Sequence, residues 1–183
     1  MVHNVHERRL PVPAAAAGEL IDSLAGPDDR LWPRHRWPAM RFDRPLGVGA
    51  AGGHGPVRYT VEEYRPGGWI RFRFSAPAGF HGYHEYEVIP EGDRDCRLRH
   101  RMEMTMGWPA WITYPLFYRP LHDALIEDSL DVAEAGVALA RARPRRLGRT
   151  VRVLRSMAGV LRGRVPARSA SHYVKADPSH GGR

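Results

Sequence analysis

Three histidines, His84, His100 and His122, carry most of the chemistry that this sequence offers. His84 and His100 fall on the inward side of alternating, strand-like runs, and His122 falls on the apolar side of a helix-like run. A histidine can act near neutral pH as a general base, a hydrogen-bond partner of a ligand or a metal ligand. All three are candidate catalytic residues, and the alternative is that they are separate, hydrogen-bonded interior histidines. No H-x₃-H or Cys/His ligand spacing occurs, so we expect no metal site and no cofactor.

The helix that should carry His122 lies within residues 108–140. Prolines at 109, 115 and 120 interrupt its lead-in, so the regular helix is expected to begin near Tyr118 or Pro120. At about 100° per residue, one face collects mainly apolar residues: Tyr118, Leu121, His122, Leu125, Ile126, Ser129, Val132, Ala133, Gly136, Val137 and Ala140. The acidic residues Asp123, Glu127, Asp128, Asp131 and Glu134 are predicted to form the opposite, solvated face.

Upstream of this helix the hydrophobic pattern is mostly of period two. Residues 57–64, 69–75, 82–90 and 96–106 alternate apolar with polar side chains, which predicts an antiparallel meander with one buried face and one wet face. Outward arginines are expected to meet outward glutamates across neighbouring strands. Three segments precede this meander: a strand over 2–10, a helix over 14–26 and an irregular apolar segment containing Trp32, Trp37 and Met40.

The glycine-rich segment 41–56 resembles a dinucleotide-binding loop by its letters G-V-G-A-A-G. That fingerprint must follow a buried strand and begin a helix, whereas Pro56 and a strand follow here. We therefore predict a strand at about 42–48 that runs into a hairpin loop, and no nucleotide site.

Composition bounds the remaining function classes. The chain has 183 residues and a single cysteine, Cys96, so no internal disulfide can form. No run of apolar residues reaches signal-peptide or membrane-span length, and we expect a cytoplasmic protein. The net charge of +8 is unevenly distributed, with −3 over residues 1–140 and +11 over residues 141–183. Nucleic-acid binding by the folded body is not expected.

The order of a strand, short helices, an antiparallel meander and a long C-terminal helix resembles the helix-grip fold of the SRPBCC superfamily. This superfamily includes START lipid-transfer domains, the birch-pollen-allergen group and polyketide cyclase/dehydrase-like proteins. The resemblance rests on GPVRYTVEEYRPGGWIRFRF (55–74) and YRPLHDALIEDSLDVAE (118–134) and covers about residues 1–140. It implies an α+β protein whose curved antiparallel sheet wraps around the long helix, with an apolar cavity between them. The superfamily shares no catalytic signature.

We predict that this cavity binds a lipid, a polyketide or an aromatic metabolite. The alternative for the same cavity is a cyclase/dehydrase-like enzyme. Tyrosines could orient a polar head group and methionines could line a wall of adaptable shape, or both could simply be core. The candidate ligand-binding residues are Tyr59, Phe72, Phe74, His84, Tyr86, His100, Met102, Met104, Tyr118, His122 and Ile126.

Two segments outside this core have open roles. The aromatic lead-in 107–118 is either a lid over the cavity or packing against the sheet edge. Residues 141–165 form a basic extension whose part 144–165 has arginines opposite apolar residues, as in a helix that contacts an anionic membrane; the alternatives are a docked helix and a solvated tail. Residues 166–183 are polar and small and are predicted to be disordered.

Overall fold

The computed structural model describes residues 1–138. The predicted extension 141–165, the tail 166–183 and the boundary at residue 140 lie outside these residues. The strands are β1 (Val2–Leu10), β2 (Arg41–Phe42), β3 (Ala51–His54), β4 (Val57–Arg65), β5 (Trp69–Ala76), β6 (Phe80–Pro90) and β7 (Cys96–Met106). The helices are α1 (Ala14–Asp22), α2 (Ala110–Thr113) and α3 (Arg119–Ala138), and a π-helical turn, Tyr114–Tyr118, joins α2 to α3.

All seven strands form one antiparallel sheet in the order β1-β7-β6-β5-β4-β3-β2. The first strand of the chain therefore pairs with the last, and the long helix α3 packs beside β1. The expected α+β helix-grip architecture is confirmed. The regular helix begins at Arg119, as the prolines predicted, but the lead-in is also helical from Ala110 onwards.

The alternation predicted for the meander places one face of the sheet in the core. Tyr59, Phe72, Tyr86 and Leu98 are fully buried there. On the outer face the predicted Arg–Glu pairs form, such as Arg73 with Glu62 at 2.7 Å. A face of this kind satisfies its charges across strands while the apolar side chains provide the burial that stabilises the sheet.

The outer face is not uniformly wet, which corrects one expectation. Glu85 on β6 is only 1% exposed. It accepts hydrogen bonds from Arg71 at 2.8 Å and Arg101 at 2.7 Å, and the Arg71 guanidinium also stacks on the Tyr83 ring. Long arginine side chains thus cover this carboxylate.

The strand predicted at 42–48 is wrong. Only Arg41 and Phe42 are extended, and the glycine-rich residues 51–54, expected to be a loop, form β3. Asp43 closes the intervening loop by pairing with Ala51 through backbone and side chain. Glycine is needed in β3 because a Cβ on Gly52 would stand 1.9 Å from the Arg41 carbonyl oxygen. These glycines therefore serve close strand packing.

The acidic face of α3 is also not simply solvated. Four of its carboxylates face β1: Asp123 contacts Asn4 and His6, Glu127 contacts His6 and Arg8, and Asp131 and Glu134 contact Arg8.

The fifth, Asp128, is only 3% exposed. Asp128 follows Leu121 by seven residues, or about two helical turns, and therefore lies on the same side of α3 as that apolar residue.

Among the described residues no helix is long and apolar enough to cross a membrane.

Candidate functional site

A cavity of about 400 Å³ lies between α3, the inner face of the sheet and the segment 32–38. Its wall is mainly aromatic and aliphatic, with a few histidines and arginines. It is lined by Trp32, Arg34, His35, Arg36, Trp37, Pro38, His54, Gly55, Pro56, Val57, Phe74, Phe80, His84, His100, Met102, Tyr114, Tyr118, Leu121, His122, Leu125 and Ile126.

The structure divides the eleven candidate ligand-binding residues into two groups. Those that line the cavity are Phe74, His84, His100, Met102, Tyr118, His122 and Ile126. The other four, Tyr59, Phe72, Tyr86 and Met104, are buried behind the wall.

Two of those four are tyrosines, and both hydroxyls are used within the core. Tyr86 bonds Ser129 at 2.9 Å, and Tyr59 bonds His54 Nδ1 at 3.0 Å. Burial raises the pKa of Tyr59 well above its ordinary value, so this phenol stays neutral.

The three candidate catalytic histidines do come together. His84 Nδ1 and His100 Nε2 are 3.3 Å apart, and the ring centroids of His100 and His122 are 5.1 Å apart. Each histidine comes from a different element, β6, β7 or α3. His84 pairs with Met102 and His100 pairs with Tyr86, so the two histidines are diagonal neighbours on the inner face of the sheet.

Burial decides the charge of these rings. It lowers the pKa of His84 and His100 well below 6.5, and lowers that of His122 although Asp123 opposes the effect. Neutral imidazoles result, one nitrogen of each being a donor and the other an acceptor. Among the described residues, His84 Nε2, His100 Nδ1 and both nitrogens of His122 have no hydrogen-bond partner.

The segment 32–38 supplies a wall that sequence reasoning did not assign to the site. Asp29 fixes its start by accepting hydrogen bonds from the amides of Leu31 and Trp32, at 2.9 and 2.8 Å. Trp32 then donates to the Pro38 carbonyl at 2.8 Å, and its ring packs at a tilt against His54, with 4.7 Å between centroids. The sequence feature that could have assigned this segment to the site is its pair of tryptophans, Trp32 and Trp37.

Asp128 fastens this segment to the long helix. Its carboxylate accepts hydrogen bonds from the Arg36 guanidinium at 2.6 Å and from the Trp37 indole at 2.7 Å. A buried carboxylate needs such partners because its desolvation is costly. One acidic residue of α3 therefore positions two residues of the cavity wall.

The aromatic lead-in packs against the sheet and also lines the cavity, whereas its role as a lid stays a prediction. Tyr114 and Tyr118 line the cavity and pack against Phe80, with centroids 6.0 and 5.1 Å away. Four apolar neighbours in the same segment face outwards and are 44–71% exposed: Trp108, Trp111, Leu116 and Phe117.

A second group of titratable side chains lies where α3 meets β1. His6 stands between two carboxylates, and the hydrogen bond to Asp123 raises its pKa against the opposing effect of burial, with a further contribution from Glu127. Since His122 borders both this group and the cavity, the two regions share one wall residue.

Comparison with known proteins gives the fold. No protein-family model and no curated protein matches the chain by sequence. Among solved structures, a protein from Thermobifida fusca is similar at 17% identity and a TM-score of 0.57, covering 80% of this chain and 100% of that one.

Two further solved structures are similar to this chain. CalU16 from Micromonospora echinospora has 14% identity and a TM-score of 0.54, covering 87% of this chain and 84% of its own. Norcoclaurine synthase from Thalictrum flavum, in complex with dopamine and hydroxybenzaldehyde, has 15% identity and a TM-score of 0.53, covering 78% and 90%. At these identities the likeness shows the helix-grip fold, and membership of the SRPBCC superfamily stays a prediction.

Proposed function

We propose that this protein binds an apolar small molecule, such as a lipid, a polyketide or an aromatic metabolite, in the cavity beneath α3. The observation that carries the proposal is the cavity itself, about 400 Å³ with a mainly apolar wall. Sites for small molecules have volumes of about 300–1,000 Å³ and combine apolar walls with a few polar groups. Each 100 Å² of apolar ligand surface removed from water would contribute about 2.5 kcal/mol.

The polar groups indicate which part of the ligand would be recognised. His84 Nε2 and His100 Nδ1 are buried and have no partner among residues 1–138. A neutral imidazole can donate to or accept from a hydroxyl or carbonyl group. A ligand with one such group on an apolar body fits this arrangement better than a pure hydrocarbon or an ion.

The first test is native mass spectrometry of the freshly purified full chain, where we expect an adduct that organic extraction removes. The second is titration with an environment-sensitive apolar dye. Val57→Trp fills space at the cavity wall and should abolish dye binding. The matched control is Val48→Trp, at a position that is 66% exposed, which should bind as wild type does. Equal dye binding by both variants, without any adduct, would contradict the proposal.

The second candidate is a cyclase/dehydrase-like reaction on a ligand held in the same cavity. The contact of 3.3 Å between His84 and His100 favours it, because a neutral histidine with an adjacent partner can accept a proton from a bound substrate. The structural neighbour norcoclaurine synthase is described with a transition-state analogue, so the fold accommodates chemistry in that protein. His100→Asn removes the base but leaves the apolar cavity wall, so turnover should be abolished while binding of the apolar dye is retained, and unchanged turnover would rule out a role for His100.

The membrane contact predicted for residues 144–165 falls outside the described residues and stays a proposal. Full-length protein should sediment with anionic vesicles at low salt and be released at high salt. Absence of sedimentation at low salt would contradict it.

A further inference from the structure

His6, His122 and Asp123 form a compact cluster at the junction of β1 and α3. One ligand atom from each residue lies within 4.8 Å of the others. Asp123 Oδ1 is 3.3 Å from His6 Nε2 and 3.6 Å from His122 Nδ1. Residues more than a hundred positions apart in the sequence thus converge on one point.

We propose that these three side chains bind a divalent transition-metal ion of the Zn²⁺ class. Ligand bonds of about 2.0–2.1 Å in tetrahedral geometry place ligand atoms about 3.3 Å apart. The two separations from Asp123, 3.3 and 3.6 Å, lie close to that spacing, and all three ligand atoms lie within 4.8 Å of one another, so side-chain adjustment would complete the site. Two imidazoles and one carboxylate favour Zn²⁺ and its neighbours over Mg²⁺ or Ca²⁺, which prefer oxygen ligands.

The surrounding residues are arranged as the outer shell of a metal site requires. His6 uses Nε2 towards Asp123 and its other nitrogen, Nδ1, towards Glu127 Oε1 at 2.8 Å. A carboxylate that accepts from the distal nitrogen of a metal-bound histidine orients the ring and increases its basicity. Asn4 donates to Asp123 Oδ1 at 2.9 Å and fixes that carboxylate.

His122 provides an independent indication. Its Nε2 is buried and has no hydrogen-bond partner among the described residues, and its Nδ1, also buried, faces Asp123 Oδ1 at 3.6 Å, beyond hydrogen-bond distance. A buried, unpartnered imidazole is costly, and a metal bond would satisfy one nitrogen. Asp123 is 35% exposed, so an ion can reach the cluster from solvent. Three protein ligands also leave a coordination position open, as in catalytic zinc sites.

The test is zinc binding by the full chain after treatment with a chelator, measured by calorimetry with Zn²⁺ alone and no apolar ligand. We expect one zinc per chain for wild type and loss of that binding in His6→Ala and Asp123→Asn. Glu127→Gln should weaken binding by about 10–100-fold. The control is His3→Ala on the same strand, whose side chain is 61% exposed and should not affect binding.

X-ray absorption of the zinc-loaded wild type reports the ligands directly, and misfolding of a variant cannot affect its result. It should show two imidazoles and at least one oxygen ligand. A different number of imidazoles, no stoichiometric zinc, or full binding by both ligand variants would overturn the proposal. Because this experiment uses no cavity ligand, its failure leaves the small-molecule function unaffected, and failure of dye binding leaves the metal site unaffected.

Discussion

Removing the Asp128 carboxylate should destabilise the protein and loosen one wall of the cavity. In Asp128→Ala, both Arg36 and Trp37 lose the acceptor that α3 provides, at 2.6 and 2.7 Å. Breaking one partner of a buried ion pair costs about 3–5 kcal/mol. Arg36 remains 24% exposed, so water can solvate part of its charge and the lower end of this range applies.

We therefore expect the free energy of unfolding to fall by about 3 kcal/mol. For a chain of this size that corresponds to a Tm lower by roughly 10 °C. Asp128→Asn keeps one oxygen for the Trp37 indole but replaces the oxygen that accepts from Arg36 with an NH₂ group. It should therefore lose about 1 kcal/mol less than Asp128→Ala, the contribution of the one retained hydrogen bond. Urea unfolding followed by circular dichroism measures these differences.

The matched control is Glu134→Ala on the same helix. Glu134 also pairs with an arginine, Arg8, but its side chain is 48% exposed, so we expect a loss of no more than about 1 kcal/mol. If Asp128→Ala and Glu134→Ala lose the same stability, the view that Asp128 fastens the cavity wall is refuted. Dye affinity should also fall in Asp128→Ala, because Trp37 lines the cavity.

Three other perturbations test separate parts of the structure. Burial holds the pKa of His84 well below 6.5, so the stability present above pH 6.5 is lost as the pH falls. His84→Phe should reduce the slope of unfolding free energy against pH below 6.5 by up to about 1.4 kcal/mol per pH unit. An unchanged slope would contradict this. Glu85→Gln should cost about 2–3 kcal/mol because Glu85 is buried between Arg71 and Arg101, whereas Glu62→Gln, in a more exposed pair, should cost less than about 1 kcal/mol in the same urea titration. Gly18→Ala would place a Cβ 2.1 Å from the Gly67 carbonyl oxygen and should lower Tm markedly, while Gly68→Ala meets nothing within 4 Å; equal melting of the two would show that α1 can move away from the β4–β5 turn.

The sequence alone determined the elements whose signals are local. Period-two alternation over β4–β7 decides which side chains face inwards, because a one-residue slip would expose the whole apolar set. Helical periodicity likewise predicted α3, and the prolines at 109, 115 and 120 predicted its start near Tyr118 or Pro120. From inward parity and the apolar helix face, His84, His100 and His122 could be expected to share one interior, and they do.

Only the tertiary structure decided what each polar residue contacts. Asp128 and Glu85 were predicted to be solvated, and both are buried. Arg36 and Trp37 from a distant segment cover Asp128, and Arg71 and Arg101 from the two neighbouring strands cover Glu85. The glycines of β3 were predicted to form a loop. They instead allow β3 to pack closely against β2, and no local sequence pattern indicates that contact. His6 and His122 meet because the first strand pairs with the last and α3 lies beside it. Such contacts depend on long-range packing, which sequence spacing does not encode.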